Sequence, residues 1–285
     1  MRYFVFEAGS RAGFSTEKFF QAYLQQTGAK DTLVMVDSDP LFPHLKSPQP
    51  NIMRVSEEEA MAMLNDGDTI FPADELTRQK NSHVRGFASA NPFSAIDVKF
   101  YNKTYINSQL SFVKSNIAVP KTFSNTTLFI KPNVLSAGSK ECHAVKDVCV
   151  EEYINIKGEY VVDCYEREGK IDLYPREVKL KNGYDKYIMI LPQESEFCDS
   201  VRDFITASQQ KVGGLFKGIF HLQLARDFNG NLFYIESSKR ISGSSIVNIE
   251  RGFNPFCFMV GLKAYDNVKH LEGVWYRFED FLYDV

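Results

Sequence analysis

The sequence predicts an α/β protein in two parts, a small parallel α/β layer followed by a longer, strand-rich α+β region. Three observations carry this. Over the first 90 or so residues short apolar strands alternate with helix-period stretches. Past Ala118-Val119-Pro120 the pattern becomes runs of strand with turn signals between them. Near the C-terminal third, Asn229-Gly230 punctuates two alternating runs as a hairpin turn does.

The elements follow in order. Residues 3–6 are β-rich and run into Gly9-Ser10-Arg11-Ala12-Gly13. An amphipathic stretch at 15–26 places Phe19, Phe20, Tyr23 and Leu24 at helical spacing, with Ser15 or Thr16 as cap and Gly28 as stop. Residues 32–36 form the next strand, and right-handed crossover makes the two strands parallel. Residues 52–55, a helix at 56–64, and 69–71 continue the alternation. Ser89-Ala90-Asn91-Pro92 reads as a boundary. The expected domains are therefore 1–92 and 93–285, the latter divided into 93–155 and 156–285. Within them a helix is expected at 102–114, strands at 128–131, 148–153, 159–166 and 170–179, and a long helix at 198–212.

Bulk properties exclude several classes. Of 285 residues, 44% are apolar and 24% charged, an ordinary globular balance. A net charge of −3 without a basic stripe argues against nucleic acid. The apolar run after Arg2 stops at Glu7, too short for a signal peptide, and no later run approaches a membrane span. Cys142, Cys149, Cys164, Cys198 and Cys257 include no C-x-x-C pair, so reduced thiols in a cytoplasmic protein are expected.

Three stretches carry candidate chemistry. On the strand at 232–238, alternation places Leu232, Tyr234, Glu236 and Ser238 on one face. The turn at Asn229-Gly230 lies midway between Gln223 and Glu236, so pairing across it brings their side chains together. Two oxygen donors on adjacent strands suit a hard cation such as Mg²⁺, with phosphate oxygens and water completing the shell. Arg240 follows closely enough to reach a phosphate. The same spacing also fits a strand carboxylate in a surface ion pair. His221 falls on the face of Gln223, and a packed, hydrogen-bonded histidine explains it equally. In the second stretch Lys131 ends a strand and precedes the small residues Ser136-Ala137-Gly138-Ser139, a phosphate-loop pattern that is not a Walker A motif. An ordinary strand-to-loop connection shares this pattern. The third, Glu151-Glu152-Tyr153-Ile154 with Gly158-Glu159, places paired acids at a strand end, where solvated carboxylates are also common.

Taken together and in this order, these stretches resemble the ATP-grasp superfamily of carboxylate ligases. The likeness spans about residues 95–255, from Asn102-Lys103-Thr104 through Val119-Pro120-Lys121-Thr122 and Ile130-Lys131-Pro132 to Glu236 and the Ser-rich run after Arg240. The first 90 residues also resemble the family's N-terminal α/β domain, with Val36-Asp37-Ser38-Asp39-Pro40 after its second strand. Gln as first metal ligand, and Arg before a Ser-rich stretch, are similar to the carbamoyl-phosphate synthetase-like branch. The resemblance implies two α+β subdomains clamping ATP, preceded by a Rossmann-like domain. It implies phosphate contacts from Lys103 and Lys131, with Lys179 as a further one. Ser136, Gly138 and Ser139 belong to the covering loop, Glu152 and Ile154 to the adenine hinge, and Glu159 binds ribose. Gln223, Glu236 and Ser238 hold magnesium, and Arg240 stabilises the acyl phosphate.

The implied activity is ADP-forming ligation of a carboxylate, activated as an acyl phosphate, to an amine. The expected partners are small molecules such as amino acids; a homodimer is one option, and the sequence leaves the oligomeric state open. Two departures stand out. Ser238 replaces the family's usual Asn, and the phosphate loop has the single glycine Gly138. They keep a non-catalytic ATP sensor or a phosphotransferase variant as alternatives. Gly9 to Gly13 lacks G-x-G-x-x-G spacing, which argues against NAD.

Overall fold

The computed structural model describes residues 1–6, 8–36, 50–65, 67–72, 102–121, 128–132, 148–181, 184–262, 272–273 and 275–277. These fall into two compact units. One holds the described residues of 1–72 with 239–262; the other holds those of 102–238 with 272–277. The sequence reading instead ran the second domain unbroken from 93 to 285. Residues 239–262 pack on the N-terminal unit through contacts that a sequence pattern does not encode.

In the first unit, β1 (Arg2–Phe6), β2 (Thr32–Val36), β3 (Ile52–Val55) and β4 (Thr69–Pro72) form a parallel sheet in the order β3-β2-β1-β4. Helix α1 (Arg11–Thr27) starts four residues earlier than the spacing predicts. Ser10 is its N-cap, accepting from the Gly13 amide at 3.1 Å. Thr16 instead bonds back to the Ala12 carbonyl and Ser15 reaches Gly243 O at 3.1 Å. The early start requires glycine at 13, where a Cβ would lie 2.2 Å from Ala8 O. Gly28 ends the helix in the left-handed region at φ 66°. Helix α2 (Glu57–Met63) carries a full capping box between Ser56 and Glu59.

Alternation along β1 sends Phe4 and Phe6 into a core with Val34, Val36, Ile70 and Ala60 of α2. On the other face, Tyr3 meets Phe20 of α1, Phe71, and Phe256 edge-on. Phe256 belongs to α5 (Pro255–Met259) and stacks on Phe71 at 4.5 Å.

The second unit is built on a seven-stranded sheet in the order β13-β10-β9-β8-β11-β12-β5. Its strands are β5 (Ile117–Ala118), β8 (Ile156–Arg167), β9 (Lys170–Lys181), β10 (Tyr184–Ile190), β11 (Gly218–Asp227), β12 (Leu232–Ser238) and β13 (Trp275–Arg277). All neighbours are antiparallel except β5 and β12. A separate hairpin pairs β6 (Leu128–Pro132) with β7 (Val148–Glu152). Helices α3 (Lys103–Leu110) and α4 (Glu196–Val212) cover one sheet face. There Ile106, Leu110, Val201, Phe204 and Ile205 bury against Val162, Leu173, Leu222, Leu224 and Tyr234. Because one face is so apolar, the opposite face receives the polar residues of the same strands.

Candidate functional site

The site is assembled by register. Gln223 of β11 and Glu236 of β12 are direct cross-strand partners. Such partners share a face, with Cβ atoms about 4.5–5.5 Å apart. The face is not the one simple alternation assigns. The register slips between Gln223 and Leu224, so that Leu224 pairs with Tyr234 and Gln223 with Glu236. Ile235 is thus an extra residue, a β-bulge that inverts the alternation beyond it. Leu232 and Tyr234 face the apolar core, while Glu236 and Ser238 join Gln223 and His221 on the opposite side. This corrects the expectation that Leu232, Tyr234, Glu236 and Ser238 share one face. Side-chain bonding agrees, since Tyr234 Oη and Ser237 Oγ, both on the core side, lie 2.8 Å apart.

Two parallel rows of side chains result. One reads Glu236, Gln223, Val161, Arg176 across β12, β11, β8 and β9; the next reads Ser238, His221, Asp163, Tyr174. Arg176 Nη1 donates to Asp163 Oδ2 at 2.5 Å, and both are fully buried. Sequence reasoning missed this diagonal pair. Its signal was present, as a lone charge in each of the apolar runs Val161-Val162-Asp163-Cys164 and Leu173-Tyr174-Pro175-Arg176.

Helix α3 adds the third charge. Asn102 caps it by accepting from the Tyr105 amide at 2.9 Å. Lys103, Ile106, Asn107 and Leu110 then recur on one side at helical spacing. Ile106 and Leu110 enter the core. Lys103 Nζ meets Glu236 Oε2 at 2.9 Å, with the side chains 13% and 21% exposed. Glu236 is therefore in an ion pair, but a largely desolvated one rather than a loose surface contact. One turn on, Asn107 donates to Glu151 of β7 in a buried bond. The Glu152 amide donates to Lys121 O at 2.7 Å. Burial, with the Glu236 and Glu151 carboxylates adding to it, pushes the Tyr234 hydroxyl far above its ordinary range.

The remaining expected residues divide. Glu159 lies on the face of Gln223, opposite Val178 and Ala225. Lys131 is on β6 opposite Cys149. Ile154 is half-buried just beyond β7. Lys179 falls by alternation on the face of Leu173 and Glu177, away from Gln223, and its ammonium sits 4.4 Å above the Trp275 ring. Arg240 follows β12 and donates to the Ile241 carbonyl at 3.3 Å, grouped with the other compact unit. Ser136, Gly138 and Ser139 lie outside the described residues.

No group of three or more His, Cys, Asp and Glu gathers in metal-binding geometry among the described residues. The donor set is instead an amide beside a carboxylate, on which a lysine ammonium already seats. Oxygen donors that attract positive charge fit a hard divalent cation. Cys164, Cys198 and Cys257 are buried and form no disulfide, and burial raises the pKa of Cys164 well above the usual thiol range. No helix among the described residues is long and apolar enough to cross a membrane.

No family model matches the sequence, and no curated protein matches it. Solved structures do. An ATP-grasp superfamily protein from Archaeoglobus fulgidus superposes with a TM-score of 0.64 at 13% identity, over 95% of this chain and 90% of that one. A carboxyaminoimidazole ribonucleotide synthase from Aspergillus clavatus, complexed with ATP, gives 0.65 at 15% identity, over 95% and 79%. An L-amino acid ligase from Bacillus licheniformis gives 0.58 at 16% identity, over 95% and 75%. At such identities the likeness is one of architecture, and the architecture of this chain is the ATP-grasp fold.

Proposed function

We propose that this chain is an ATP- and magnesium-dependent ligase that activates a small-molecule carboxylate, of amino-acid type, for attack by an amine. One observation carries the reading. Gln223, Glu236 and Lys103 converge on a polar sheet face opposite an apolar core, an arrangement suited to a metal-bound triphosphate. Glu159 on the same face suits ribose hydroxyls. Residues 93–155, which include the β6–β7 hairpin, would cover the nucleotide, and residues 156–238 would supply the metal site. Similar solved structures support the class, since one is an L-amino acid ligase and another is complexed with ATP.

In the proposed reaction a carboxylate oxygen bonds to the γ-phosphorus as the β–γ bridging bond breaks and ADP leaves. Bound magnesium would draw off charge from the transferring phosphoryl group. Gln223 and Glu236 would hold that ion, with Ser238 as an adjacent hydroxyl donor. Lys103 and Lys131 would neutralise phosphate charge. An amine then bonds to the acyl carbon as the carbon–oxygen bond to phosphate breaks, and the nitrogen loses its proton. This route needs no covalent nucleophile from the chain; its work is to position substrates and keep water from the acyl phosphate.

ADP release measured against a panel of carboxylates and amino acids tests this. ADP that appears only when carboxylate and amine are both present supports the ligase. Tight ATP binding with no ADP under any pairing refutes it in favour of a sensor. A stable phosphorylated product without amine refutes it in favour of a phosphotransferase.

A further inference from the structure

We infer that Lys103 excludes a free divalent cation from Glu236, so that the metal is admitted only together with a nucleotide. The inference rests on the ligase reading and goes beyond it. Lys103 Nζ lies 2.9 Å from Glu236 Oε2, the same carboxylate that faces Gln223 across the β11–β12 pair. A cation bound to that carboxylate and the lysine ammonium are like charges competing for one anion. Neither side chain is well solvated, so water does little to screen the competition.

Lys103 cannot easily swing aside by moving its helix. Ile106 and Leu110 of α3 are core residues, and Asn107 is bonded to Glu151 of β7. The flexible four-carbon stem of the lysine is the movable part. A triphosphate near the sheet face offers the ammonium a stronger anion than Glu236 and draws it off. Glu236 is then free to take the cation that arrives with the phosphates. Cation and nucleotide therefore favour each other's binding by the same factor.

The departure at Ser238 acts in the same direction. A hydroxyl is a weaker donor than an amide carbonyl, so the protein's own oxygens hold a cation poorly. A site that is weak alone and strong with nucleotide avoids stray divalent ions.

The test is a manganese titration followed by electron paramagnetic resonance, with and without a non-hydrolysable ATP analogue. Lys103→Met keeps the aliphatic stem and so the packing around it. It is expected to bind Mn²⁺ alone roughly tenfold more tightly than the unaltered protein, within the usual range of coupling between sites. The gain from adding nucleotide should shrink by a similar factor. Lys103→Arg should behave as the unaltered protein, and Lys211→Met, on α4 across the sheet, should change nothing. Lys103→Gln repeats the comparison with a second neutral side chain. If both neutral variants bind Mn²⁺ alone no better, while Glu236→Gln abolishes Mn²⁺ binding with nucleotide, the exclusion is wrong and the metal site stands. If Glu236→Gln leaves Mn²⁺–nucleotide binding intact, the metal assignment falls and takes the exclusion with it.

Discussion

Gln223 and Glu236 face each other across the hydrogen-bonded β11–β12 pair because Ile235 is a surplus residue in β12. Were Ile235 paired in regular alternation, Glu236 would share the face of Tyr234 and be driven toward Phe204 and Leu224. A single bulge thus decides whether a carboxylate is buried in an apolar core or presented to a cation.

The two serines that follow make this testable. Ser237 is on the core side, bonded to Tyr234 Oη, while Ser238 is on the Gln223 side opposite His221. Ser237→Ala should cost about 1 kcal/mol in urea denaturation, since the buried tyrosine hydroxyl loses a partner. It should leave magnesium-dependent ATP affinity unchanged. Ser238→Ala should do the reverse, lowering that affinity roughly tenfold by calorimetry with little change in stability. Exchanged outcomes would mean that the bulge does not invert the strand.

Much of the fold was legible because its signals are local. Strand alternation, Gly28 and the Asn229-Gly230 turn each act over a few residues. Pairing Gln223 with Glu236 needed only the turn's position. The face of Glu236 was not legible, because a bulge adds a residue without any compositional mark. The Asp163–Arg176 pair joins residues on different strands, and only the sheet shows them as neighbours. Ser10 was overlooked as a cap because the close approach of Gly13 to Ala8, which lets α1 begin so early, is a tertiary fact.

Arg176, in the row of Gln223, and Asp163, in the next row, form a buried diagonal pair. Removing one charge takes a close counter-charge from the other, which stays buried. Arg176→Met or Asp163→Asn alone should lower stability by about 3–5 kcal/mol in chemical denaturation, and the double replacement by clearly less. Equal losses from single and double variants would show that the two charges do not rely on each other.

Gly13 and Gly28 are both glycines of α1's boundaries, but for different reasons. A Cβ at 13 would sit 2.2 Å from Ala8 O, whereas at 28 it would meet nothing within 4 Å and only the φ of 66° opposes it. Gly13→Ala requires backbone movement and should cost about 1–3 kcal/mol. Gly28→Ala should cost about 1 kcal/mol, the ordinary penalty of a left-handed alanine. Thermal unfolding of the two variants should rank them in that order, and the reverse ranking would count against the tight β1–α1 connection.

Glu17 lies buried on α1 with Arg54 of β3 at 3.9 Å, too far for a hydrogen bond. One carboxylate oxygen accepts from Gln21 at 3.2 Å while Oε2 has no hydrogen-bond partner. Burial raises the pKa of this carboxyl above the ordinary value, with the charges of Arg54 and Lys18 opposing the shift. The folded state therefore favours the protonated form. Whatever stability Glu17 contributes is present in acid and is lost as pH rises through its raised pKa. Glu17→Gln mimics the protonated carboxyl and keeps an oxygen for Gln21. At pH 7 it should stabilise the protein by on the order of 1 kcal/mol, the cost of a buried polar group with incomplete hydrogen bonding. That advantage should shrink as the pH is lowered and the unaltered carboxyl takes up its proton. Denaturation curves for both proteins between neutral pH and the acid range measure the difference directly. A variant that is less stable at pH 7, with the deficit closing in acid, would show instead that attraction to Arg54 outweighs the burial of Glu17.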